Sequence, residues 1–442
     1  MADETIEAKT AQVLPVPRFM GQYLARPLPR ISLRQTFAAL KYRNYRLWFV
    51  GQLVSLVGTW MQSTAQGFLI FDLARRITGD PRMADAYLGY VTLASGIPPL
   101  LFMLYGGVVA DRMPRRTLLI ITQTTMMVLA FILAGLTFLN LVQPIHIIVL
   151  AFFLGVANAF DAPARQAFVL EMVEREDLTN AIALNSTMFN LATVVGPAIG
   201  GLTYAAVGPE WCFTINGLTF IAVIVALLLM RLKPSVAEVR QASAMEDLKK
   251  GLRYVASQRV IQAVLGVVTM TSLFGMAYVA LIPAWAVNVL GGNATTNGYL
   301  QSARGLGALL GALMIASLGR VRFKGKLLTL GTFAFPILLI VFALMRWLPL
   351  SLLALVGVGW SFMILFNTAN ALVQTLVADE LRGRVMAIYS LTFFGAMPIG
   401  GLLAGVMASK IGEPETVILG ALISLVFAGL IWWRVPRLRA LE

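Results

Sequence analysis

The chain predicts an all-α membrane protein with twelve transmembrane helices arranged as two pseudo-symmetric halves of six. Three observations carry that prediction. Of 442 residues, 58% are hydrophobic and only 13% charged, so a water-soluble globule would expose large apolar patches. The apolar residues fall into runs of about 20, the length that crosses a hydrocarbon core. Finally, a layout in the first half returns in the second: an apolar helix with asparagines from about Gly155 or Gly357, a short charged turn, then a helix reaching Pro197-x-x-Gly200-Gly201 or Pro398-x-Gly400-Gly401.

In order, the spans are expected near 45–71, 87–110, 117–139, 144–163, 181–206 and 211–230, then near 260–289, 298–318, 327–346, 350–375, 385–408 and 416–433. A polar, proline-dotted tail, 1–43, precedes the first half, 44–230, and lacks the charged-then-apolar layout of a cleavable signal peptide. The linker 231–259 joins the halves. In it Met245, Leu248, Leu252 and Val255 recur at helical spacing around Lys249, Lys250 and Arg253, an amphipathic helix expected to lie on the inner leaflet. The second half, 260–434, ends in a short tail, 435–442.

Basic residues fix the orientation, because short cytoplasmic loops accumulate them. With the N-terminus inside, Arg34, Lys41, Arg43, Arg46, the Arg112–Arg116 turn, the linker, Arg320 to Lys326, Arg382, Arg384 and Arg434 all fall on the cytoplasmic side. Arg75, Arg76, Arg82, Arg346 and Lys410 are left outside. Both termini are therefore expected in the cytoplasm, and the net charge of +14 reads as topology plus affinity for anionic lipid. Basic residues scattered among membrane turns do not form a nucleic-acid face. A single cysteine, Cys212, excludes an internal disulfide. The single histidine, His146, sits at the outer mouth of the fourth span, and there is no phosphate-binding G-x-x-x-x-G-K-S/T loop. No metal cluster, nucleophile–base pair or cofactor loop suggests an enzyme.

The most specific stretch is Gly107-Val-Val-Ala-Asp111-Arg112-Met-Pro-Arg115-Arg116, charge packed between two apolar runs. It resembles the G-x-x-x-D-R-x-x-R-R signature that major facilitator superfamily transporters carry between their second and third helices. The resemblance implies a latch between the halves at the cytoplasmic face: Gly107 for close helix approach, and Asp111 facing the N-terminus of the eleventh span near Gly383-Arg384. It also implies that Asp161 partners Arg115 or Arg112, while Arg165 can meet Asp161 at i,i+4. The second-half turn, Gly319-Arg320-Val-Arg322-Phe-Lys324-Gly-Lys326, has no acid, so the latch is expected in the first half alone.

Gly196-Pro197-Ala-Ile-Gly200-Gly201 in the fifth span resembles the core of the motif that marks drug antiporters, where proline bends the helix and glycines admit the other half. Two upstream glycines of that motif are Ala183 and Ala192 here. Ser55-Leu-Val-Gly58-Thr59-Trp60-Met61-Gln62-Ser63, Asn158-Ala-Phe160-Asp161-Ala162-Pro163-Ala-Arg165-Gln166 and Asn180-Ala-Ile-Ala-Leu-Asn185-Ser186 resemble the branch of bacterial exporters that includes enterobactin and macrolide efflux proteins. That branch implies export of a small amphipathic molecule, a drug-like compound or a siderophore, across the bacterial inner membrane, in exchange for protons. The chain is expected to act as a monomer in membrane lipid, without a cofactor, metal or nucleic acid. An importer and a lipid-handling or assembly factor on the same fold are the alternatives.

Helical spacing nominates the cavity. Gln52, Ser55, Thr59, Gln62 and Gln66 step by three and four in the first span, a polar stripe that cannot face lipid. Shorter stripes are Ser186, Asn190 and Thr193 in the fifth span and Asn367, Asn370 and Gln374 in the tenth. Arg304 lies within the eighth span and can either hold an anionic group or snorkel outward. Trp60, Tyr278, Trp285 and Trp360 can stack on an aromatic cargo or anchor at the interface. No acid falls near a helix centre: Asp72 sits at the outer end of the first span, and Asp111 and Asp161 at the inner face.

Overall fold

The structure is a computed structural model and describes residues 37–232, 244–318 and 324–436. The tail up to Thr36's position in the numbering, the linker stretch 233–243, the turn 319–323 and residues 437–442, all assigned roles above, lie outside the described residues.

The first half contains α1 (Arg43–Thr78), α2 (Pro81–Arg112), α3 (Arg115–Phe138), α4 (Pro144–Phe168), α5 (Leu178–Val207) and α6 (Pro209–Leu229). The linker helix is α7 (Ala244–Ser257). The second half begins with a span made of α8 (Arg259–Met270), a π turn, α9 (Tyr278–Ala284) and a second π turn. It continues through α10 (Ala294–Leu318), α11 (Lys324–Leu344), α12 (Leu348–Leu376), α13 (Asp379–Ile411) and α14 (Glu413–Arg434). Eleven of these segments are long and apolar enough to cross a membrane. Besides the linker helix α7, α1 falls outside that set: it has 36 residues, and its polar stripe and terminal charges dilute its hydropathy.

Prolines and caps set the helix starts. The Asp80 carboxylate accepts the Arg82 N–H at 2.9 Å, with Pro81 opening α2, so the second span begins six residues before the expected 87 and takes in Asp85. At α4 the Gln143 N–H donates to His146 Nδ1 at 3.2 Å in a capping box, so His146 caps its own helix. Gly208 and Gly412, at φ +100° and +94°, turn the chain between α5 and α6 and between α13 and α14. These equivalent turns half a chain apart need a backbone that L side chains rarely adopt.

Each half has its own core. Trp48 packs edge-on against Phe168 at 5.5 Å in the first half, and Trp285 stacks on Phe342 at 4.5 Å in the second. Leu101, Leu353 and Val426 are more than 60% exposed on the outside of the bundle, the disposition of a lipid-facing surface. The halves meet through α2 with α13 and α5 with α10, pairs that the two-fold pseudo-symmetry exchanges. We call the face carrying the start of α1 and the α2–α3 turn the basic face, and the opposite one the far face. On the basic face α7 lies against α13: a Cβ at Gly251 would stand 2.9 Å from Ile388 Cδ1. Lys249, Lys250 and Leu252 point outward.

Candidate transport cavity and gates

Between the halves lies a cavity of about 400 Å³, the size of a site for one drug-like molecule. Thr59, Gln62, Ser63 and Gln66 of α1, Ser95 of α2, Asn158 of α4 and Asn216 of α6 contribute polar atoms from the first half. Gln301 and Arg304 of α10 do so from the second, and Trp60, Phe220 and Met276 supply apolar surface. Arg304 is the one formally charged side chain among these described wall residues. Its Nε is buried without a hydrogen-bond partner, and it has no ion pair among the described residues. The wall therefore presents amides, hydroxyls and one unneutralised guanidinium, a set that suits a polar or anionic group on an otherwise apolar molecule.

The first-span stripe divides. Thr59, Gln62 and Gln66 reach the cavity, whereas Gln52 and Ser55 are 1% and 2% exposed and lie outside its wall. Around them α1 packs closely on α6: a Cβ at Gly51 would stand 3.0 Å from Ala226 Cβ. Asn190 donates to the Ser186 carbonyl at 2.8 Å, and Gln374 donates to Asn370 at 2.7 Å. With Asn367, these residues lie toward the basic face, outside the cavity wall. Of the aromatic candidates Trp60 lines the cavity. Tyr278 and Trp285 are core residues, 3% and 1% exposed, and Trp360 is part of the α10–α12 contact through its carbonyl.

Toward the far face the halves are sealed by backbone-to-backbone contact. A Cβ at Gly298 would stand 2.5 Å from the Pro197 carbonyl oxygen, and one at Gly201 would stand 2.6 Å from that of Ala294. Ser302 donates to the Val194 carbonyl at 2.6 Å, and Asn297 to the Thr64 carbonyl at 3.3 Å. The α2–α13 seam runs from Asp85 beside Gly405 to Leu100 beside Gly395. Of the antiporter-like motif, Pro197 and Gly201 meet the other half. Gly196 and Gly200 instead pack on Trp60 and Met61 of α1, a correction to the expectation that all the glycines serve the interface between halves.

At the basic face the seam is open. Gly107 and Gly383 have no described atom within 4 Å of where a Cβ would be, and the glycine in close helix contact is Gly106, against Ala159 of α4. Asp111 and Arg112 are exposed and make no ion pair among the described residues. Arg115 pairs with Glu171 at 2.6 Å, not with Asp161, because the turn Val169–Glu171 after α4 brings Glu171 beside the start of α3. Arg116 donates to the Leu228 carbonyl at 2.8 Å. Asp161, fully buried, pairs with Arg165 one helical turn on and accepts from Thr122 Oγ1 and Gln123 Nε2, both at 2.8 Å. Asp72 pairs with Arg76 at 2.7 Å on the rim.

Sequence reasoning missed Asn216, Asn297 and Asp85. Asn297 stands one helical turn before Gln301 and two before Arg304, a spacing that could have revealed it, whereas Asn216 has only Thr219 beside it on an apolar helix. Asp85 follows the Asp80-Pro81 start signal, which places it inside α2.

A two-half helical bundle around a central polar cavity, sealed at one face and open at the other, has the fold of a major facilitator superfamily membrane transporter. A solved variant of the nucleoside transporter NupG superposes with a TM-score of 0.67 at 14% identity, covering 89% of this chain and 99% of that one. The chain belongs to the transmembrane secretion effector family, whose sequence pattern matches residues 34–442. It is similar to the multidrug efflux pump Tap of Mycolicibacterium fortuitum, 27% identical over 80% of this chain and 88% of Tap. It is also similar to the enterobactin exporter EntS of Shigella flexneri, 28% identical over 77% of this chain and 82% of EntS. These are transporters and not enzymes.

Proposed function

We propose that the protein is a secondary active exporter that moves a small amphipathic molecule, drug-like or siderophore-like, out of the bacterial cytoplasm by alternating access in exchange for protons. In this reading the basic face is cytoplasmic, both termini lie inside, and a single chain in the inner membrane is the working unit. The observation that carries it is the unneutralised Arg304 among cavity amides, reached from the face where Asp111 and Arg112 stand free. An intramembrane charge without a structural partner is a functional group by default. Similarity to an efflux pump and a siderophore exporter supports the outward direction.

The basic-face charges form the inner gate of this cycle. When the seam closes there, Gly107 lets α2 approach α13, and Asp111 meets the positive end of α13 near Gly383 and Arg384. Asp161 and Arg165 stiffen the end of α4, and Arg115, Arg116 and Arg112 hold the turn at the headgroups. Pro197 and Gly201 close the outer side. Anionic lipid at the basic rim and α7 on the inner leaflet complete the setting.

The test compares small molecules in medium and cytosol of a deletion strain and its parent, with and without iron, and follows dye movement in everted vesicles under an imposed proton gradient. A compound that accumulates inside the deletion strain and falls outside establishes export, and iron dependence marks a siderophore. Gradient-independent movement in the vesicles overturns proton exchange. Depletion of the compound from the parent's medium identifies an importer.

A further inference from the structure

The far seal encloses a carboxyl group that cargo binding does not use. Asp85 lies one helical turn beyond Leu88 at the far end of the cavity, is 1% exposed, and has an Oδ1 without a hydrogen-bond partner among the described residues. Its main-chain oxygen lies 2.5 Å from where a Cβ of Gly405 would be, which places it on the α2–α13 seam. The charges that act on it, Glu413 and Asp80, are both negative. Glu413 is itself buried and accepts a 2.6 Å hydrogen bond from Asn288.

Among the described residues Asp85 makes no ion pair, and Arg346 at this end donates to the Ala343 carbonyl. Arg82 on the same helix, Arg75 on α1 and Lys410 on α13 are exposed. Arg76 is paired with Asp72, His146 of α4 caps its own helix, and the span through α9 carries no charge between 271 and 289. The N-terminus of α2 favours an anion only within its first turn, and Asp85 is already the fifth residue. A carboxylate enclosed without a partner neutralises by taking a proton.

We propose that Asp85 is a proton-binding site of the outer seal: closing α2 against α13 converts Asp85–COO⁻ and one proton from the far side into Asp85–COOH, and opening returns both. The inference rests on the alternating-access reading. It adds a place where protonation selects one of the two states, since the sealed state is favoured at low pH and weakens as pH rises past the range in which the open, hydrated carboxyl titrates.

The experiment uses the full chain in lipid nanodiscs with Cys212→Ala and spin labels on cysteines at Ile77 and Ile411, exposed ends of α1 and α13. Distances are measured by pulsed electron resonance between about pH 5 and pH 9. The expected result is a short distance at low pH and a longer population that grows with pH, by up to about tenfold per pH unit where one proton is linked. Asp85→Asn should stay short throughout. Glu413→Gln, which keeps an acceptor for Asn288, should open less at high pH because the enclosed carboxylate is then less repelled. An Asp85→Asn protein that opens with pH as the parent does overturns the proposal. So does a parent whose distance ignores pH while export runs in vesicles. A seal that responds to pH through Asp85 in a protein without export supports the proposal and overturns the export reading instead.

Discussion

Asn216 of α6 donates a 2.6 Å hydrogen bond to Gln62 of α1 in the cavity wall. Both side chains are at least 95% buried, so the pair fixes which amide atoms Gln62 turns to the cavity. Asn216 Oδ1 also accepts from Thr219 at 3.1 Å, which orients the asparagine.

Gln62→Ala should therefore lower stability by only about 1 kcal/mol, the range of interhelical hydrogen bonds in membranes, while raising the KM for cargo several-fold. Thermal unfolding in detergent and vesicle efflux measure the two separately. A large stability loss with unchanged KM would assign Gln62 to packing alone.

Arg304→Gln should weaken export of an anionic substrate by about tenfold or more, the loss of a charge-assisted hydrogen bond of about 1.5–3 kcal/mol. A cationic dye should be handled as well as before or better, and Arg304→Lys should restore part of the anionic flux. Equal losses for both dyes would show that the guanidinium does not read cargo charge.

Two acids near the basic face should behave oppositely. Asp111 is exposed and unpaired in this state, so Asp111→Asn should leave the unfolding temperature unchanged and cripple flux. Asp161→Asn leaves Arg165 without its buried partner and should destabilise by about 3–5 kcal/mol, visible as a fall in unfolding temperature. Normal flux in Asp111→Asn would remove that residue from the inner gate.

Gly298→Leu places a side chain where the Pro197 carbonyl lies and should prevent the far seal from closing. On the alternating-access reading, overpacking of about 1–3 kcal/mol disfavours the sealed state, so flux should fall at least about tenfold. The labels at 77 and 411 should report the long distance even at low pH.

Much of this arrangement is legible in the sequence because lipid imposes simple rules. Apolar runs gave the helices, and the spacing of Asp161 and Arg165 gave their ion pair directly. What failed depends on neighbours. Helical period put Gln52 and Ser55 on the same face as Gln62, but only the close approach of α6 at Gly51 takes them out of the cavity. Arg115 finds Glu171 through a short turn that no motif encodes, and Gly106 rather than Gly107 meets α4 because of how α2 is rotated. Asp85 was legible in principle: an aspartate followed by proline is a helix start, and reading it so moves the second span outward to include the acid.

The far seal rests mainly on carbonyls set against glycine α-carbons, while the cavity is made by side chains. Cargo choice and gate strength are thus written in different atoms. Substitutions at Gln62, Gln66 or Arg304 therefore change the wall of the cavity without touching the contacts that close the door.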